Sequence, residues 1–290
     1  TIIDTAFGFR KVLERPIKKV PSLQGKTVVN LFFEMSTRTR ISFELAQKRM
    51  SADTVAFSAA SSSLNKGESF KDTVQNIEAM KIDAVILRHP ASGAPQHLTK
   101  FVDAIVINAG DGTHEHPTQA ILDMMSLQEQ FNNLEGLKVG IIGDISHSRV
   151  ALSNIFGLTT MGADVMICGP STLMPPHIEK LGVKVSYDMD EVVDWADAVN
   201  ILRIQLERMG TGLYPSIREY RELFGLSVER IKRHSKDLVV MHPGPMNRGT
   251  EIDSAVADSD RAIILDQVLN GVASRMAILY LLLGGKMEEN

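Results

Sequence analysis

Ser36, Thr37, Arg38, Thr39 and Arg40 put three hydroxyls and two guanidiniums into five consecutive residues, between the apolar run 28–33 and a helical pattern carrying Ile41, Phe43 and Leu45. A turn from a strand into a helix exposes backbone N–H groups, and hydroxyl and guanidinium donors beside them can surround phosphate oxygens. The same residues also read as an N-cap serine followed by solvated arginines. Neither arginine can serve as a base, because a guanidinium keeps its proton to above about pH 12. Arg88-His89-Pro90 follows a second apolar run, 84–87, so Arg88 is either a second anion contact beyond the end of a strand or a surface arginine at a strand exit. His114-Glu115-His116-Pro117-Thr118-Gln119 enters another helical pattern, with Pro117 suited to the first helical position. His116 and Gln119 could then donate to a carbonyl oxygen that gains negative charge. The two histidines and Asp111 do not complete a metal pattern such as HExxH, so no metal is expected.

Further along, Arg149 opens a helical stretch and Arg203-Ile204-Gln205 follows the apolar run 198–202. Two planar donor forks and an amide suit a substrate with two carboxylates, and a pair of rim salt bridges is the alternative. His242-Pro243-Gly244-Pro245 makes a rigid turn that either aims backbone carbonyls at a substrate amine or is purely structural. Gly140 to Gly143 lacks the full GxGxxG fingerprint, which weakens a nicotinamide dehydrogenase reading. There is no GxSxG elbow, and Cys168 ends an apolar run without a neighbour that would activate it. The serine-rich segment 58–71, with Asn65-Lys66-Gly67 at its centre, reads as a solvent-exposed loop or as a lid whose lysine closes over an anion.

Elements that would hold these residues follow from the hydrophobic pattern. Runs at 28–33, 54–57, 84–87 and 104–107 read as buried strands, and 39–50, 70–80 and 117–131 as helices. After a break at 132–136, strands are expected near 138–142, 164–168, 183–187, 198–202 and 238–241, with helices between them. This is the pattern of two parallel-sheet α/β domains. A final helix over 267–283 has apolar residues at a 3.6-residue period.

The 290 residues suffice for two domains, and 44% apolar with 23% charged residues is the composition of a globular protein. A net charge of −4 supplies no global field for nucleic acid or an acidic membrane, so neither is an expected partner. The lone cysteine cannot close an internal disulfide, which fits a reducing, cytoplasmic compartment. The first residues lack the basic-then-apolar pattern of a secretory signal, and the apolar run 276–283 is only eight residues, well short of the 18 or so that suggest a membrane span.

Taken together, Phe32-Phe33-Glu34-Met35-Ser36-Thr37-Arg38-Thr39-Arg40, Lys66-Gly67-Glu68, Arg88-His89-Pro90, His116-Pro117-Thr118-Gln119, Arg203-Ile204-Gln205 with Glu207-Arg208, and His242-Pro243-Gly244-Pro245 resemble the catalytic chains of the aspartate carbamoyltransferase (aspartate transcarbamoylase) family, in order and over essentially the whole chain. The resemblance implies an α/β enzyme with an interdomain active-site cleft that makes N-carbamoyl-L-aspartate and phosphate for pyrimidine biosynthesis, without a cofactor. It implies a carbamoyl phosphate-binding domain at 1–133, an aspartate-binding domain at 134–272, and a helix at 273–290 returning to the first domain. Ser36, Thr37, Arg38, Thr39 and Arg88 would hold the phosphate, Thr39, Arg88 and His116 would polarise the carbonyl, and Gln119 would hold the carbamoyl amino group. Arg149, Arg203 and Gln205 would bind aspartate, with Gly244 and Pro245 positioning it through backbone carbonyls. In this family a catalytic homotrimer shares its sites, so Ser63 and Lys66 would come from the adjacent subunit, and a regulatory chain or another pyrimidine enzyme is a further partner the resemblance leaves open. Ornithine carbamoyltransferases share the phosphate motif but carry HCLP where this chain has HPGP. A catalytically silent homologue that scaffolds or senses metabolites is the alternative of a different class.

Overall fold

The computed structural model describes residues 1–58, 69–204, 216–234 and 237–284. It divides into two units, Thr1–Met125 with Leu269–Asn290, and Ser126–Val268. Ser63, Lys66 and Gln205, together with Glu207 and Arg208, lie outside the described residues.

The first unit runs α1 (Ile2–Leu13), β1 (Thr27–Phe32), α2 (Thr37–Arg49), β2 (Asp53–Ser58), α3 (Phe70–Glu78), β3 (Ala84–His89), α4 (Ala94–Leu98), β4 (Ile105–Asp111) and the start of α5 (Pro117–Phe131). Its four strands are all parallel in the order β2-β1-β3-β4. Helical crossovers cover such a sheet on both faces, so its strands read as unbroken apolar runs rather than alternating ones. Val28, Val29 and Leu31 of β1 and Ala84 to Leu87 of β3 are indeed buried. Val29, Leu31, Val85 and Leu87 pack with Val74 of α3 and Leu98 of α4 in one core. One polar pair interrupts the apolar interior: Asn30 and Gln47, both fully buried, exchange amide hydrogen bonds of 3.0 and 2.9 Å and tie α2 to β1.

The second unit continues with β5 (Lys138–Ile142), α6 (Arg149–Thr160), β6 (Asp164–Cys168), β7 (Lys184–Ser186), α7 (Met189–Trp195), β8 (Ala198–Ile201), α8 (Ile217–Phe224), α9 (Val228–Arg233), β9 (Val239–Met241) and α10 (Ser254–Ala257). Its strands are also all parallel, in the order β7-β6-β5-β8-β9. Ile142, Val199 and Ile201 of the sheet meet Val192 of α7 and Tyr220 and Phe224 of α8 in its core.

The last helix, α11 (Ile264–Leu279), begins in the second unit and ends in the first, followed by a wider turn at Tyr280–Gly284. The apolar run expected as eight residues is therefore part of a longer helical stretch, Ile264–Gly284, which is long and apolar enough by length and composition to cross a membrane. Most of its apolar window, 61%, is buried inside the fold, as in a core helix.

Candidate active site

In an open parallel sheet, ligands bind outside the carboxyl ends of the strands, where the strand order reverses direction. In the first unit that point lies between β1 and β3, whose ends are in register at Phe32 and Arg88. The chain leaves β1 into Ser36 and α2, so the hydroxyl and guanidinium cluster and Arg88 follow the two strands that flank the reversal. Ser36 is the N-cap of α2, but its hydroxyl accepts no bond from the first turn, and that turn holds no acidic residue. By contrast, the cap serines of α3, α6, α8 and α9 all accept from a first-turn amide. The positive end of the α2 dipole thus has neither a capping side chain nor an acidic residue in its own first turn. Thr37, Arg38 and Arg40 are exposed around it, and Thr39 is buried.

Arg88 is buried, and Ala109, His116 and Glu34 are among its partners. Its Nη1 donates to the Ala109 carbonyl at 3.0 Å and lies 3.5 Å from His116 Nε2, and its Nη2 donates to Glu34 at 3.1 Å. The contact with His116 is at the outer limit of a hydrogen bond and does not fix the ring tautomer. His116 sits just before Pro117, and its carbonyl accepts from the Gln119 and Ala120 amides at the start of α5. Gln119 Nε2 donates 2.9 Å to Asp123 one turn later. Asp111 accepts from Gly93 N, His114 Nδ1, Asn108 Nδ2 and Glu115 N, so its role is to shape the loop before α5. Among the described residues, no group of three or more His, Cys, Asp or Glu is placed to hold a metal ion.

In the second unit the reversal lies between β5 and β8, in register at Ile142 and Ile201. Arg149 and Arg203 follow these two strands. At the end of β5, Gly143 turns with a φ of +135°, and a Cβ there would press on Leu202 at 3.0 Å. Ser148 caps α6 through the Ala151 amide, which presents Arg149, largely buried, as its first helical residue. Arg203 is half-buried. Asp144, fully buried, accepts from both the backbone amide and the ring of His147. Gly244 has a φ of +64° and precedes the cis bond to Pro245. Its amide donates 2.8 Å to His242 Nδ1, while His242 Nε2 lies 3.3 Å from Glu251. Burial pushes the Cys168 thiol up to about 12, so it is no nucleophile.

A family model described as "Aspartate/ornithine carbamoyltransferase, carbamoyl-P binding domain" matches residues 1–129, and its Asp/Orn binding domain counterpart matches 135–282. The chain belongs to this carbamoyltransferase family. It is 58% identical over 287 residues to the aspartate carbamoyltransferase catalytic subunit of Gemmatimonas aurantiaca, covering 99% of this chain and 90% of that one. It superposes with a TM-score of 0.86 and 28% identity on the aspartate transcarbamoylase of Trypanosoma cruzi crystallised with carbamoyl phosphate and aspartate, covering 96% of this chain and 91% of that one. The Pyrococcus furiosus ornithine carbamoyltransferase superposes at 0.85 with 28% identity, covering 98% and 93%.

Three residues that interact with these side chains or with their partners carry no role in the sequence reading: Glu34, Asp123 and Arg275. Glu34 lies inside the quoted FFEMSTRTR block, but only the pairing of β1 with β3 brings it to Arg88, 54 positions away. Arg275 is buried in α11, where burial holds its guanidinium down to about 10 against the opposing pull of Asp123, with Arg88 adding to the depression. A lone arginine in an apolar helical run gives no sequence cue to such partners.

Proposed function

We propose that this chain transfers the carbamoyl group of carbamoyl phosphate to the amino group of L-aspartate, as the catalytic chain of an aspartate carbamoyltransferase in pyrimidine biosynthesis. The first unit binds carbamoyl phosphate through Ser36, Thr37, Arg38, Thr39 and Arg88, a reading supported by the uncapped N-terminus of α2 beside the end of β3. The second unit binds aspartate through Arg149, Arg203 and Gln205, with backbone carbonyls at Gly244 and Pro245 orienting its amine.

The neutral aspartate amine attacks the carbamoyl carbon, forming the C–N bond and a tetrahedral intermediate whose oxygen Thr39, Arg88 and His116 stabilise. The C–O bond to phosphate then breaks, and the departing phosphate takes the amine proton, so His116 need not act as a base. Gln119 holds the carbamoyl amino group. Excluding water protects the activated donor from hydrolysis.

The choice of aspartate over ornithine is carried by one observation: two arginines follow the strands that flank the reversal of the second sheet, where they attract carboxylates and repel an ammonium.

The homotrimer reading draws support from apolar side chains left exposed in the first unit, Ile41 and Leu45 on one face of α2 and Val55 on the edge strand β2. In this reading Ser63 and Lys66 contribute to the neighbouring subunit's site. A cytoplasmic setting fits a chain whose one cysteine is a buried thiol.

Replacing Arg38 with Ala should abolish measurable carbamoyl phosphate binding, and Arg203→Ala should weaken aspartate binding by about 100-fold, as loss of a charged hydrogen-bonding partner does. Calorimetric titration of each variant with each ligand checks this assignment, and unchanged affinities would remove the two roles.

A further inference from the structure

We propose that Asp123 is a positioning residue that fixes which end of the Gln119 carboxamide faces the substrate, and so makes the site prefer carbamoyl phosphate to acyl phosphates. The inference rests on the reading of the first unit as the carbamoyl phosphate site.

Asp123 follows Gln119 by one turn of α5 and receives its Nε2 at 2.9 Å. A carboxylate oxygen can only accept, so the amide nitrogen must turn towards Asp123 and the amide oxygen must face the other way. Asp123 is fully buried and Gln119 nearly so. A flipped amide would set two acceptors against each other where water cannot relieve them.

The carboxylate also feels the field of a buried cation. Arg275 of α11, which interacts electrostatically with Asp123, donates through Nη1 to Ser42 Oγ at 3.0 Å and the Gly271 carbonyl at 2.8 Å. Its guanidinium lies 5.0 Å from the centre of the Phe43 ring. A Cβ at position 271 would come within 2.7 Å of Nη1, so the glycine makes room for the guanidinium. Ser42 and Phe43 belong to α2, the helix that carries Thr39. Gln119 is therefore oriented by the same framework that sets the phosphate-facing helix.

Carbamoyl phosphate and acetyl phosphate share the phosphate and the carbonyl and differ only in an amino group against a methyl. Arg38, Thr39, Arg88 and His116 contact the shared parts and cannot tell the two apart. A fixed amide oxygen can, since it accepts from N–H and gains nothing from a methyl.

The test compares the KM for carbamoyl phosphate with the competitive Ki of acetyl phosphate, using the assembled enzyme and L-aspartate. In Asp123→Asn the new amide can offer either a donor or an acceptor, and Gln119 loses its single orientation. The ratio of Ki to KM should fall by about tenfold, the worth of one hydrogen bond in discrimination, with KM rising and Ki unchanged. In a Gln119→Met background the same change should leave the ratio where it is. Equal worsening of both constants, or a further fall in that background, would overturn the proposal, because a purely structural role moves both ligands together. Should Asp123→Asn fail to fold with a buried cation left behind, Asp123→Asn/Arg275→Met removes both charges and carries the same comparison. Absence of carbamoyl transfer by the unmodified enzyme would defeat the functional reading itself, whereas turnover with an unchanged ratio in the variant defeats only the role of Asp123.

Discussion

Charged side chains in this molecule differ in how far the fold encloses them. Arg38 and Arg40 stand exposed at the start of α2, whereas Arg230 is buried with its Nε 2.7 Å from Asp190. Burial works to raise the Asp190 carboxyl, but the Arg230 charge, with His234 and Arg233, outweighs it and holds Asp190 below the usual carboxylate range. The folded state therefore binds fewer protons than the unfolded state just below the ordinary carboxylate pKa of about 4. Its contribution to stability is complete above that value and is lost as pH falls through the lowered pKa. Chemical denaturation from pH 6 to pH 3 should show Asp190→Asn to be less stable at pH 6 and to lose less stability on acidification than the unmodified protein. Parallel pH profiles would contradict the assignment.

Among the elements, α2 is the one whose placement matters most, since it carries the hydroxyls and guanidiniums to the end of β1. The Asn30–Gln47 pair anchors it. Asn30→Ala leaves the buried Gln47 amide without its partner and should cost about 1–3 kcal/mol of stability, read from the denaturation midpoint. Changing both residues to apolar side chains of similar shape should cost less than the single change, and a single variant as stable as the parent would show that the pair is no anchor. This pair illustrates what a sequence conceals: Asn30 interrupts an apolar run, and nothing at position 30 names a partner 17 residues away. The central strands were legible as apolar runs, because a parallel sheet covered on both faces writes its burial continuously. The run 54–57, expected as a buried strand, instead forms edge strand β2 with Val55 exposed. β4 extends to Asp111 through Asn108 and Gly110, which read as loop residues but are stitched by the Asn108 side chain to the Gly110 amide and the Asp111 carboxylate. α4 starts after Gly93 in a left-handed conformation and holds a proline, so its sequence reads as a turn. The strand-to-helix turn at Ser36 was legible because its polar residues are consecutive and follow an apolar run. Glu34, Asp123 and Arg275 were not, since tertiary pairing alone brings them to the site.

For the molecule as a whole, the relatives point to the reaction, and the roles proposed for its residues are tested on the assembled chain. A trimer that shares its sites would let two defective chains repair each other. Trimers mixed from Arg38→Ala and Lys66→Ala chains should regain part of the parental activity, up to about one normal site in each mixed assembly, while each variant alone stays inactive. No recovery at equal assembly would place each site within one chain. The central claim is tested most directly by carbamoyl transfer itself, following phosphate release and carbamoylated product from carbamoyl phosphate with L-aspartate beside L-ornithine. Turnover with aspartate at least about 100-fold above that with ornithine is expected from two carboxylate-seeking arginines. Equal turnover, a preference for ornithine, or no transfer by an intact assembly would contradict it.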